Sequence, residues 1–188
     1  MADRLYVAYW LRGFTTANMP RHFETALWKF PFSKLAKAES LVRLYAVSYS
    51  EPPVLEMPVP TPPDPPAVLA AGEEFLHEDI CFQLETYWDL WGRDAEWKLR
   101  PTRVQLACFG PAFEDVGEGE NLRIDFGLEN EFLPVDGEGM AMVRANIQSL
   151  LRLVHDLDDV LPIDRRLLRS ESGENFADKL QAALREHG

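Results

Sequence analysis

Sulfur and imidazole are scarce in this chain. Two cysteines, Cys81 and Cys108, and four histidines, His22, His77, His155 and His187, are spread over 188 residues. The cysteines lack CxxC spacing and are too few for a disulfide framework, so reduced, part-buried thiols are expected. No histidine pair has HxH or HxxxH spacing, which removes the usual signature of a zinc site. Serines and threonines lack a GxSxG elbow, and glycines form neither a P-loop nor a GxGxxG turn. Covalent catalysis and nucleotide binding lose their ordinary sequence support. No apolar run approaches the roughly 18 residues that span a bilayer. The N-terminal MADRLYVAYWLRGF reads as a strand carrying charges rather than a leader, which places the protein in the cytoplasm.

Positive charge is also short. Nineteen basic residues face 31 acids, a net charge of −12. Nine acids against Arg123 alone lie between positions 114 and 138 and carry eight of those negative charges. Neutralising phosphates requires a basic stripe, so nucleic acid and anionic membranes are excluded as partners. A basic protein or a cation suits this chain better.

The elements are set out by hydrophobic periodicity. Residues 4 to 11 are apolar on both alternating sets, as in a strand with neighbours on both sides. Asn18 stands where a cap would open a helix at Met19 and Pro20, with Phe23, Leu27 and Phe30 at helical spacing and Pro31 ending it. Residues 41 to 50 return as a second strand, which a helical crossover makes parallel to the first. Eight of the fifteen residues from 52 to 66 are proline. Missing amide hydrogens and fixed φ make residues 51 to 72 an extended connector, or an arm packed on a second subunit.

From 80 to 90, Ile80, Phe82, Leu84, Thr86, Trp88 and Leu90 alternate with polar residues, the pattern of a half-buried strand. A turn at Arg93 and Asp94 sets Leu90 opposite Trp97, Trp88 opposite Leu99 and Asp89 opposite Lys98. Beyond Pro101 the apolar set changes parity to Val104, Leu106 and Cys108, so a β-bulge over 101 to 103 is expected. Trp88 and Trp97 are then core residues, Trp91 is exposed, and Cys81 and Cys108 point to opposite faces. A third meander strand, 121 to 128, turns Leu122, Ile124, Phe126 and Leu128 inward. The segment before it, 110 to 120, has the makeup of a long mobile loop. A helix over about 138 to 157 carries Met140, Val143, Ile147, Leu150, Leu151 and Val154 on one stripe. A last one, about 173 to 186, places Phe176, Leu180 and Leu184 at spacing four, so residues 163 to 188 read as a helical appendage.

Together these predict one α+β domain over 1 to 188: a mostly antiparallel sheet of about five strands with two or three helices packed on one face. The element order resembles an elaborated ferredoxin-like sandwich in architecture alone, which licenses no function.

Three places carry chemistry. The outward sheet face gathers Tyr87, Arg100, Arg103, Arg123 and Asp125, with Trp91 beside the turn, as a platform for a carboxylate or a partner protein. Their alternating signs equally describe charges that solvate one another. His155, Asp158 and Asp159 at a helix end are candidate metal ligands, or only a polar helix end. Asp158 falls on the apolar stripe, so either the helix has broken or a carboxylate is desolvated. The acidic run GLENEFLPVDGEG lacks calcium-loop spacing. IDRRLLR brings Arg165, Arg166 and Arg169 together, to pair with acidic loops. No cofactor is expected. The leading function is a non-catalytic module that binds a protein partner or self-associates. An enzyme or small-ligand binder, with an acidic, metal-dependent pocket between sheet and helices, is the alternative.

Overall fold

The computed structural model describes residues 3–133 and 139–186. Its elements run β1 (Arg4–Leu11), α1 (Met19–Lys29), β2 (Ser40–Ala46), β3 (Leu55–Val59), α2 (Pro65–Gly72), β4 (Ile80–Arg93), β5 (Trp97–Phe109), β6 (Leu122–Leu128), α3 (Met140–Val160), β7 (Ile163–Ser170) and α4 (Phe176–Glu186). The strands make a single seven-stranded sheet in the order β3-β2-β4-β5-β6-β1-β7. Every neighbouring pair is antiparallel. The class is therefore α+β as expected, but the described residues form seven strands and four helices instead of five and two or three. The ferredoxin-like arrangement is overturned. β1 and β2 are separated by β4, β5 and β6. Four antiparallel steps leave them running in the same direction, as the crossover demands, and it is the three intervening strands, where a ferredoxin-like sheet has one, that depart from that arrangement.

Both extra strands sit at sheet edges, where sequence signals are weakest. β3 lies within the proline-rich segment, and its Pro58 pairs with Leu41 of β2. An outermost strand keeps one row of amides out of the ladder, so a residue without N–H is tolerated there. The connector then folds as α2, with proline in its first turn where the amide has no helical acceptor. β7, read as part of a helical appendage, is an edge strand against β1. Its three arginines mask both its strand character and its free edge.

The long hairpin is regular. Pairing runs unbroken from Cys81 opposite Phe109 to Arg93 opposite Trp97, so the expected bulge at Pro101 is absent. Trp88 faces Thr102, Leu90 faces Arg100 and Asp89 faces Pro101. The phase change is a change of face. Trp97 and Leu99 lie on the opposite side of β5 from Val104, Leu106 and Cys108, and Leu99 is exposed. A one-residue irregularity occurs in β6 instead, where Leu5 pairs with Gly127 but Tyr6 pairs with Asp125. Gly127 has φ +85°, a conformation that favours glycine. The extra residue keeps Phe126 buried and turns Leu128 out to solvent, against the expected alternation.

All four helices add to one core on one sheet face. Phe23 and Leu27 of α1, Leu69 of α2, Leu150 and Leu157 of α3 and Phe176 of α4 join the inward residues of the strands. Trp88 is fully buried, with Phe30, Phe126 and Phe132 rings 5.2–5.9 Å from its own. In α3 the buried stripe is Val143, Asn146, Leu150, Leu153, Val154 and Leu157, while Leu151 is exposed. Asn18 does not cap α1. Its amide accepts from Thr15 N–H and donates to Gly13 C=O, bracing the turn before the helix. Glu138, expected in α3, and His187 lie outside the described residues, as does the Leu184 side chain. No helix among the described residues is long and apolar enough to cross a membrane.

Candidate functional site

Side chains alternate across each strand, so packing every helix on one face leaves the other to solvent and loops. On that open face a charge ladder crosses three strands and reaches a fourth. Arg43 of β2 pairs with Glu56 of β3 at 2.7 Å and with Glu85 of β4 at 3.6 Å, and Glu85 pairs with Arg103 of β5 at 3.6 Å. On the far side Arg4 grips Asp125 through Nε and a terminal nitrogen at 3.0–3.3 Å. Arg123 lies 3.8 Å over the Tyr6 ring, with buried Glu120 at 3.7 Å.

Two loops fold back over this face. The 110–120 segment, expected to be mobile, is pinned by backbone bonds from Gly110 to Ile80, Ala112 to Glu78 and Glu114 to Val47. Glu118 contacts Arg165 and Arg169, and Arg165 also stacks 4.3 Å from the Trp10 ring. Together with the Arg166–Asp158 pair, these contacts account for the arginines of β7 by pairing within the chain. Phe113 meets Cys81, Ala107 and Phe109 in a second apolar cluster. The second loop brings Tyr49, whose ring packs edge-on against Tyr45 and Phe113. Its N–H donates to Asp115 Oδ2 at 2.6 Å, and its hydroxyl reaches Cys81 Sγ at 3.4 Å. Between the loops a cleft of about 240 Å³ opens, with Gln105 and Ala107 on its floor. Tyr49, Phe109, Asp115, Arg123 and Asp125 form its walls.

Five of the six platform residues share this face, Trp91 at its hairpin end. Tyr87 stands opposite Arg103, and Arg123 and Asp125 border the cleft. Arg100 does not join them. It pairs across the ladder with Leu90 and reaches Asp94 at 2.9 Å and Glu131 at 3.2 Å. Trp91 falls on the open-face parity near the hairpin tip, half-buried rather than exposed. Its backbone is held by Asn146. The metal candidates do not converge. His155 and Asp159 are 3.5 Å apart and exposed, while Asp158 turns to Arg166. The helix runs on to Val160, and Asp158 escapes the core by rotating toward β7. No group of three or more metal-ligating side chains occurs among the described residues.

Tyr49, Gln105 and Asp115 went unnoticed in the sequence because nothing local links a turn at 49 to a loop at 115. The cysteines carry no chemistry here. Burial pushes the Cys81 thiol up to about 12 despite the Tyr49 hydroxyl, and holds Cys108 well above its usual range on the opposite face. Both thiols stay protonated at neutral pH. Comparison with protein families, with curated proteins and with solved structures finds no match.

Proposed function

We propose that the chain is a non-catalytic binding protein that engages a basic protein partner on the open face of its sheet. The observation that carries this is the part of the helix-free sheet face that the two loops leave open, furnished with a charge ladder and a cleft. Seven strands about 4.8 Å apart span roughly 29 Å, and eight residues of strand add roughly 26 Å. The whole face is thus on the order of the 800 Å² per partner of a standard interface, and the part the two loops leave open suits a smaller, transient one. Its charges are mutually paired, which sets register and specificity more than raw affinity. A net charge of −12 favours a cationic partner over a second copy of the chain and disfavours nucleic acid and anionic membranes. Two unpaired cysteines suit a reducing compartment such as the cytoplasm.

A photo-crosslinking amino acid placed at Arg103, on the open face, and at Trp28, exposed on α1, tests this in cells expressing the chain. Capture of one protein from Arg103 and not from Trp28 supports the open face. Capture from Trp28 alone refutes it.

A further inference from the structure

The geometry points to the cleft between Tyr49 and the 110–120 loop as the receptor for one lysine or arginine side chain of the partner, which rests on the sheet-face function proposed above. The charges around the cleft are unequal. Asp115, Glu120 and Asp125 stand against Arg4 and Arg123. Arg123, the group that would otherwise attract an anion, is already engaged. Tyr6 covers one side of its guanidinium, and Glu120 faces it from a position fixed by the Glu118 N–H at 2.9 Å. Asp125 is likewise taken by Arg4.

Asp115 differs. Its carboxylate accepts the Tyr49 N–H, and among the described residues no cation pairs with it. It stands exposed at the cleft mouth beside Tyr49, a residue that is 37% exposed. A long basic side chain fits that combination. Its aliphatic stem lies along Tyr49 and Phe109, its charge meets Asp115, and the Gln105 amide oxygen accepts from its N–H groups. The acid is held in place by Tyr49 N–H before any ligand arrives, so little ordering is needed on binding.

The test uses a fluorescein-labelled peptide of alternating arginine and serine, followed by fluorescence polarisation at low and high salt. A peptide with glutamate in place of arginine is the comparison. Asp115→Asn keeps an oxygen to accept the Tyr49 N–H while removing the charge, and is expected to weaken binding roughly five-fold. Glu74→Gln, at an exposed acid outside the cleft, is expected to leave binding within about two-fold. In the unmodified protein, the Gln105 side-chain amide resonances are expected to shift on titration while those of Gln148 and Gln181 do not. Equal losses for the two variants, an unmoved Gln105, or no binding of the arginine peptide overturns the inference. Binding of the glutamate peptide that Arg123→Gln abolishes overturns it too. Crosslinking from Arg103 is independent of these results, so a failed cleft and a failed open face are told apart.

Discussion

Asn146 closes an exposed stretch of sheet, and its removal should be felt throughout the hairpin. β4 extends past the end of β2, since pairing with that neighbour stops at Leu41 opposite Glu85. The outer half of β4 would present unpaired backbone groups on that side, which native sheets cover or blunt. Ser33 N–H takes the Tyr87 carbonyl at 2.7 Å, and Asn146 of α3 takes both backbone groups of Trp91. The asparagine is 1% exposed and makes three hydrogen bonds of 2.8 Å: from Trp91 N–H, to Trp91 C=O and to Glu131 C=O. It acts as one residue of a missing strand. At about 1 kcal/mol per bond, Asn146→Ala should cost about 3 kcal/mol, and more if the orphaned groups stay dry. For a chain of this size that is a drop in Tm of about 6–12 °C. Urea unfolding followed by circular dichroism measures the cost, and hydrogen exchange at the Trp91 amide checks its origin. A loss under about 1 kcal/mol with Trp91 still protected would falsify the strand-substitute account. Asn146→Asp is a sharper probe. Its carboxylate would face two carbonyls, raising its folded pKa above the ordinary 3.9, so the folded state binds its proton more tightly than the unfolded chain. The deficit against the parent protein should therefore grow as pH rises through and above that value.

Three further outcomes follow from burial. Trp88→Ala should cost about 3–5 kcal/mol in urea unfolding, and Leu99→Ser, at an exposed position, should stay within about 0.5; comparable costs would mean that the hairpin faces are misassigned. His22, buried with no hydrogen-bond partner for Nε2 among the described residues, has its pKa lowered by desolvation and by Arg21. The unfolded chain then takes up a proton below about 6.5 that the folded state refuses, so stability should fall with pH there, and His22→Phe should flatten that part of the curve. Cys81 and Cys108 should resist a thiol reagent at pH 8 until denaturant is added, and fast labelling of either in the native protein would contradict their burial.

Local patterns carried the inner strands and the long helices. β1, β4, β6, α1 and α3 were legible because each buries a face, and a buried face imposes period two or period 3.6 on the residues that fill it. The separation of Cys81 from Cys108 and the outward set Tyr87, Arg103, Arg123 and Asp125 follow from the same alternation. Parity, however, says which residues share a face and not which face holds the core. That is why Trp97, Leu99 and Arg100 were placed wrongly once the turn was centred on Arg93 and Asp94 instead of on Ala95. Edge strands escape as well. β3 and β7 have only one neighbour and little to bury, so proline and arginine cost them little and periodicity is lost.

What the sequence determined alone is a set of amphipathic ribbons, an acidic surface and thiols hidden in strands, because each depends on residues close together in the chain. Only the tertiary structure decided the strand order, the bulge in β6 and the cleft that joins Tyr49, Gln105, Asp115 and Arg123. Those depend on which distant segments meet, and such meetings are chosen by the packing of the whole core, for which no short stretch holds a signal.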